Sequence, residues 1–448
     1  MVTLKNSHIV KPAESTPNEI MYLSHCDQLK PITHAPTIYF YKPTKESLEN
    51  ALHILKNALS KALVIFYPLA GRLKWVSGGR VELHCNSTGA LLLEAQSELK
   101  IDHFGDFRPN LEITKYLLPS VDLSVPPIEE VPLLLAQLTK FACGGFSLGL
   151  KVSHVILDGQ SALHFVSEWA KIARGEKFTE SPYLDRSVLQ PKELQLTADL
   201  PKSKYSQLDP PSLMVGKSDN LEERNKPTKV TMLKLSEEQI NELKKRANYH
   251  GSFSSRPCSR FEALCAHIWR CATKVRRHAM EQETICYVSV DFRQRVKPPL
   301  PPKYFGNAVM LTPAVAIVGD LISEPFGYAA GKIRESIEFV TNEYVNSYLV
   351  RIKNLSDVSP YRHFHTAGCS RGAFLGNPNL VVTSWIGLPL YGADFGWGKE
   401  IYMGPATLGY DGKAFFIPSK DGDGSLSIPF CFQLEHLDDF EKYFYEEI

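Results

Sequence analysis

The sequence predicts a mixed α/β (α+β) protein made of two helix-on-sheet sandwiches. Three observations lead there. Short β-rich apolar runs and 3.6-period helical stretches are mixed without strict βαβ alternation. That mixture occurs once on each side of the chain's middle. Between the two, from about residue 175 to 228, prolines recur, charges scatter and neither period persists. Such a stretch is unusual inside one compact domain, so it reads as a crossover joining residues 1–174 to residues 229–448. The full length, 448 residues, suits about two or three domains.

In chain order, Thr37 to Tyr41 is β-rich and alternating, which predicts a strand. Leu48, Leu52, Leu55 and Leu59 share one face of a helix over 45–63. Residues 133–141 and 146–156 read as two strands joined by a turn at Gly144-Gly145, and the second delivers His154. Phe165, Val166, Trp169 and Ala173 then mark a buried helix. In the second half, Ser236 and Gln239 form a capping box for a helix to about Ala247. Phe261, Leu264, Ile268 and Ala272 line the inner face of a helix over 259–277. A strand is predicted over 284–290, one long helix within 326–351, and short strands around 380–385, 413–418 and 425–434. Asp421-Gly-Asp-Gly424 is a hairpin turn between the last two; it lacks the spacing and closing glutamate of a calcium loop. Leu437, Phe440 and Phe444 bring a final helix onto the core.

Composition excludes several classes. The chain is 44% hydrophobic and 22% charged, with a formal net charge of +1. That gives no reason to invoke nucleic acid or an anionic membrane. No apolar run reaches membrane-spanning length and the N-terminal residues lack a signal-peptide core, so a cytoplasmic location is expected. Nine cysteines lie scattered with no C-x-x-C pair, which fits reduced thiols rather than a zinc knuckle.

The most informative segment is Lys151-Val-Ser-His-Val-Ile-Leu-Asp-Gly-Gln-Ser161, an H-x-x-x-D-G pattern where a strand runs into a helix. Here the imidazole of His154 can face a cavity while Asp158 braces the turn. An imidazole titrates near neutrality, so it can take a proton from an alcohol or amine and return it later. Taken alone, the pair reads first as a satisfied histidine at a strand end, because isolated motif matches have many false positives. Gly368-Cys-Ser-Arg-Gly372 matches G-x-S-x-G, with Asp394 and His436 following in hydrolase order. Its flanks do not: residues 361–366 are polar and 373–378 are broken by Gly376 and Pro378, so Ser370 lacks a strand–elbow–helix setting. His363 and His365 form an H-x-H without a third ligand at helical spacing, and no metal is expected. Tyr391-Gly-Ala-Asp-Phe-Gly-Trp-Gly-Lys399 lacks the order of a phosphate loop and reads as a rigid structural loop.

H-x-x-x-D-G and D-F-G-W-G together resemble the plant BAHD acyl-CoA-dependent acyltransferases. So do Tyr67-Pro-Leu-Ala-Gly-Arg-Leu73, Tyr304-Phe-Gly-Asn307 and Asn377-Pro-Asn-Leu-Val-Val-Thr-Ser-Trp385, in order over essentially the whole chain. The resemblance implies two chloramphenicol-acetyltransferase-like domains with a channel between them and His154 at its middle. It implies an acyl-CoA co-substrate, no permanently bound cofactor, small-molecule partners and a monomer. His154 would be the general base and then protonate the departing thiolate; Trp385 or Thr383 would serve the oxyanion. Asp158 would turn away to pair with Arg293. Asp394, Gly396, Trp397 and Gly398 would support the fold, and Thr37 and Tyr39 would line the acceptor pocket.

Within that family, shikimate and quinate enzymes typically carry arginine in S-W-x-R-L-P, and Ser384-Trp-Ile-Gly-Leu-Pro389 has Gly387 in its place. Losing a charge-assisted contact to a carboxylate costs about 1.5–3 kcal/mol. The N-terminal Met-Val-Thr-Leu-Lys5, the run from Gly392 to Gly404, Asp421-Gly-Asp-Gly-Ser425 and Phe444-Tyr-Glu-Glu-Ile448 resemble spermidine hydroxycinnamoyltransferases. The expectation is hydroxycinnamoyl transfer to a polyamine such as spermidine. The alternatives are O-acylation of an alcohol (a tropane alkaloid, or shikimate or quinate), a serine hydrolase using Ser370, and a catalytically silent acyl-CoA-binding relative.

Overall fold

The computed structural model describes residues 2–120, 127–191, 221–249, 256–362 and 374–448. Its strands are β1 (Val2–Val10), β2 (Glu19–Met21), β3 (His34–Tyr41), β4 (Arg72–Trp75), β5 (Val81–Cys85), β6 (Ala90–Ser97), β7 (Leu134–Lys140), β8 (Phe146–Ser153), β9 (Thr228–Leu235), β10 (Glu283–Asp291), β11 (Val309–Ile317), β12 (Leu380–Ser384), β13 (Glu400–Pro405), β14 (Lys413–Pro418) and β15 (Leu426–Gln433). They form two six-stranded sheets, ordered β1-β6-β7-β8-β3-β13 and β11-β10-β12-β14-β15-β9, and a small sheet β2-β5-β4.

Each large sheet is covered by helices whose apolar stripes were legible. Ser47 caps Leu48–Ile65, its hydroxyl accepting from the Asn50 amide at 3.0 Å. Leu52, Leu55 and Leu59 of that helix, with Phe165 and Trp169 of Gly159–Ala173, pack on Leu148, Leu150 and Val152 of the first sheet. In the second half, Ser259 and Glu262 close a capping box on Arg260–Arg276. Leu264, Ile268 and Ala272 then meet Val288, Leu380 and Val382. The alternation of a strand puts even residues of β12 into this core and leaves Thr383 on the other face.

Three features depart from the sequence reading. The long helix within 326–351 is two, Phe326–Glu338 and Asn342–Lys353, because the Thr341 hydroxyl accepts from the Tyr344 amide at 3.2 Å and starts a new helix. The edge strand β1 is mostly exposed, so it carries no inside–outside alternation to find. Finally, β13 lies late in the chain yet joins the first sheet, with Met403 opposite Tyr39. Of the 175–228 crossover, residues 192–220 lie outside the described residues, as do His363, His365 and Ser370. Among the described residues no helix is long and apolar enough to cross a membrane, and the cysteines are unpaired.

Candidate active site at the junction of the two sheets

Strand β8 ends at Ser153 and the chain turns through His154 before Gly159–Ala173 begins. Asp158 is the N-cap: its Oδ1 accepts from the Ser161 amide at 3.1 Å. Its Oδ2 accepts from the Ala308 amide at 3.0 Å and stands 2.8 Å from Nη2 of Arg293. The carboxylate is thus occupied by groups other than the imidazole. Arg293 also bonds Asp291 at 2.8 Å through Nη1, and its guanidinium lies over the Tyr304 ring. This buried pair joins the strand–helix corner of the first half to the β10–β11 connection of the second.

A second layer was not assigned from sequence. Asn307 Nδ2 donates to the His154 carbonyl at 3.0 Å and to Asp27 Oδ1 at 2.8 Å. Asp27 in turn holds Arg186 at 3.1 Å, and Arg186 donates to the Ile156 carbonyl at 2.8 Å. The His154 amide donates to the Thr33 carbonyl at 3.0 Å. The turn carrying the imidazole is therefore fixed from both sides: neutral amide bonds grip His154, and charge-assisted bonds, the stronger class, anchor Asn307 and the Ile156 carbonyl behind it. The Tyr304-Phe-Gly-Asn307 motif was the available signal for Asn307; Asp27 and Arg186 carry no local signal.

The imidazole itself is left unengaged: Nδ1 is buried without a hydrogen-bond partner among the described residues. Burial lowers its pKa to about 4; the Lys30 ammonium and, less strongly, Lys413 push the same way, while a backbone hydrogen bond and the Asp158 carboxylate oppose. His154 is thus neutral at physiological pH, the form that accepts a proton.

Thr383 and Trp385 are half-buried at the end of β12. The Trp385 Nε1 lies 3.9 Å from where a Cβ would stand on Gly159, the first residue after Asp158. The Trp385 ring packs edge-on to Phe415 at 5.0 Å. Thr383 Oγ1 accepts from Lys413 Nζ at 2.7 Å and lies 3.4 Å from Ser289 Oγ, so its proton reaches a substrate oxygen when Ser289 is the donor of that pair. Gly387 is exposed, with open space around a hypothetical Cβ. Thr37 and Tyr39 sit on β3, paired with Leu150 and Leu148 of the strand that leads to His154. Thr37 is half-buried, whereas Tyr39 is only 1% exposed and packs in the first core.

The D-F-G-W-G loop lies in another neighbourhood. Asp394 Oδ1 accepts from the amides of Gly396 (2.8 Å) and Gly398 (3.0 Å). Phe395 packs on Trp169 at 4.9 Å and Trp397 on Tyr41 at 5.9 Å, so the loop docks on the first core beside β13. Gly396 and Gly398 have φ of +109° and +103°, which other residues rarely adopt. Gly398→Ala is expected to destabilise the protein by about 1–2 kcal/mol through backbone strain alone, since a Cβ there meets nothing within 4 Å. A lower urea midpoint with kcat retained would show it.

Asp394 and His436 share no hydrogen bond among the described residues: the Asp394 carboxylate serves the loop, while His436 lies on Leu434–Glu446 beside Glu435. His164, Glu168 and Glu180 bring donor atoms within 4.8 Å of one another. Their carboxylates already meet Lys171 and Lys303, at 2.7 and 2.6 Å.

A family model described as the Transferase family matches residues 1–447. The chain is 47% identical over 454 residues, 100% of both chains, to a hydroxycinnamoyl-CoA:piscidic acid hydroxycinnamoyltransferase of Actaea racemosa. It is 39% identical over 450 residues, 99% of both, to a shikimate O-hydroxycinnamoyltransferase of Nicotiana tabacum. In structure it is similar to vinorine synthase, with a TM-score of 0.72 and 24% identity over 98% of this chain and 96% of that one.

Proposed function

The chain belongs to the BAHD branch of the Transferase family and is an acyltransferase that uses a CoA thioester as co-substrate; on that premise we propose that it moves a hydroxycinnamoyl group from CoA to a hydroxyl of a small acceptor, with His154 as general base. The observation carrying this reading is a neutral imidazole held at the junction of the two sheets, its Nδ1 without a hydrogen-bond partner among the described residues and its backbone locked.

In this scheme the acceptor hydroxyl gives its proton to His154 as its oxygen attacks the thioester carbonyl. The tetrahedral oxyanion is stabilised by the Thr383 hydroxyl, polarised by Lys413, or by the Trp385 indole. Collapse breaks the C–S bond, and the imidazolium returns its proton to the CoA thiolate. The thioester is already activated, so no covalent enzyme intermediate is needed. Asp158 and Arg293 position the turn without touching substrate.

Both reported relatives carry hydroxycinnamoyl in their names, and neither is named for a polyamine. The spermidine acceptor expected from sequence would need uncommitted anionic groups near His154, where two ammoniums stand and the Asp158 carboxylate is taken by Arg293. O-acylation is therefore the better reading. The test supplies p-coumaroyl-, caffeoyl-, feruloyl- and benzoyl-CoA against shikimate, quinate, malate, tropine and spermidine, with products identified by mass. Ester products from the hydroxycinnamoyl thioesters are expected; amides of spermidine with no ester would overturn the reading.

A further inference from the structure

Two lysines, Lys30 and Lys413, bring positive charge to bear on His154. Lys30 comes from the first half, immediately before the segment whose Thr33 carbonyl holds the His154 amide. Its ammonium donates to the Val309 carbonyl at 2.9 Å, two residues from the Asn307 that grips the His154 carbonyl. Lys413 comes from β14 in the second half, bonds Thr383 at 2.7 Å and lies over the Phe415 ring at 4.8 Å. Both are part-buried, and among the described residues neither has a carboxylate within ion-pair distance. The nearest acids around Lys30 are Asp27 and Asp158, which are committed to Arg186 and Arg293. Among the described residues the Lys413 ammonium meets a hydroxyl and an aromatic ring.

An ammonium withdrawn from water with neutral partners is destabilised unless an anion completes it. Burial pushes Lys413 down to about 7 and lowers Lys30 as well. Such a pair, one from each half of the chain and both acting on the general base, suits an anionic group on the substrate. We propose that the acceptor is a hydroxy acid, and that Lys413, with Lys30 opposite, seats its carboxylate so that the hydroxyl meets His154. This rests on the acyl-transfer reading and specifies its acceptor. It also accounts for Gly387: where that position offers no cationic side chain, Lys30 and Lys413 supply the charge from other elements. A diacid would engage both lysines and a monoacid chiefly Lys413, whose charge has no nearby acid.

The test compares each acid with its own methyl ester, using shikimate and malate as probes and spermidine and tropine as acid-free acceptors, with thiol release followed at saturating p-coumaroyl-CoA. The wild-type enzyme is expected to favour an acid over its ester by roughly ten- to hundredfold in kcat/KM. Lys413→Met is expected to collapse that ratio through the acceptor KM of the acid, on top of a kcat loss shared by acid and ester because Thr383 is no longer polarised, and Lys30→Met to collapse it most for the diacid. Acceptor KM should rise as pH passes above about 7, where Lys413 loses its proton. The wild-type ratio and its pH dependence keep the test decisive even if a variant fails to fold. Equal use of acid and ester, transfer to spermidine or tropine but to neither acid, or an equal loss for acid and ester in both variants would overturn the proposal. Thiol release with no acceptor at all would defeat the acyl-transfer reading as well, and so marks a different failure.

Discussion

His154→Ala is expected to lower kcat/KM by about 10²–10⁴-fold, the range a positioned general base contributes, while leaving the fold intact. The imidazole contributes no side-chain hydrogen bond to the frame; its turn is held by backbone bonds to Thr33 and Asn307 that alanine retains. Thiol release from p-coumaroyl-CoA in the presence of acceptor measures the loss, and thermal melting checks the fold. The pH profile gives an independent reading. With the His154 pKa near 4, the acid limb should fall near pH 4, because only below it does the imidazole hold a proton and cease to act as a base. Two cations help to hold that value down, so Lys413→Met should move the limb upward, toward the ordinary 6.5. The same depression carries a stability cost with a definite sign. The unfolded chain binds the proton more tightly, so folding weakens as pH falls from about 6.5 to about 4. Transfer that survived His154→Ala, with activity lost instead in Ser370→Ala, would return the case to a serine nucleophile.

What could be read from the sequence divides along the range of the interactions. The strand–helix corner at His154 and Asp158, the Ser259–Glu262 capping box and the helix faces around Leu55 and Ile268 were legible because each is set by residues within about two turns of one another. The Arg293 partner of Asp158 was not: it is 135 residues away, and only the family resemblance pointed to it. Asp27, Arg186 and the two lysines gave no signal at all, since an isolated charge does not announce burial. Strand β13 escaped for a related reason. Glu400–Pro405 is a short, largely buried run with no alternation, and its place is fixed by pairing with β3 far upstream. The site was thus visible as a motif and hidden as a structure, because its support comes from contacts that cross between the two sheets.

That dependence on cross-sheet support makes Asp158→Ala the most damaging substitution expected for stability. It leaves Arg293, 6% exposed, with one carboxylate at Asp291 in place of two. Breaking one partner of a buried pair costs about 3–5 kcal/mol, and loss of the N-cap adds about 1 kcal/mol. The surviving Asp291 contact argues for the lower end of that range. Asp158→Asn separates the contributions. It retains an oxygen for the Ser161 amide and removes the charge, so it should cost less while still loosening the corner. Activity should fall in both through kcat more than through KM for acyl-CoA, since a shift of about 1 Å in a reacting group costs on the order of 10²-fold. The double variant Asp158→Ala with Arg293→Met is the deciding measurement. If the two residues act as one brace, the stability lost in the double variant, read from urea unfolding, should be well below the sum of the single losses, because removing both charges leaves none stranded. Additive losses would mean that Asp158 acts through the helix cap alone and Arg293 through Asp291. The imidazole would then be presented by Asn307 and Arg186, without the ion pair.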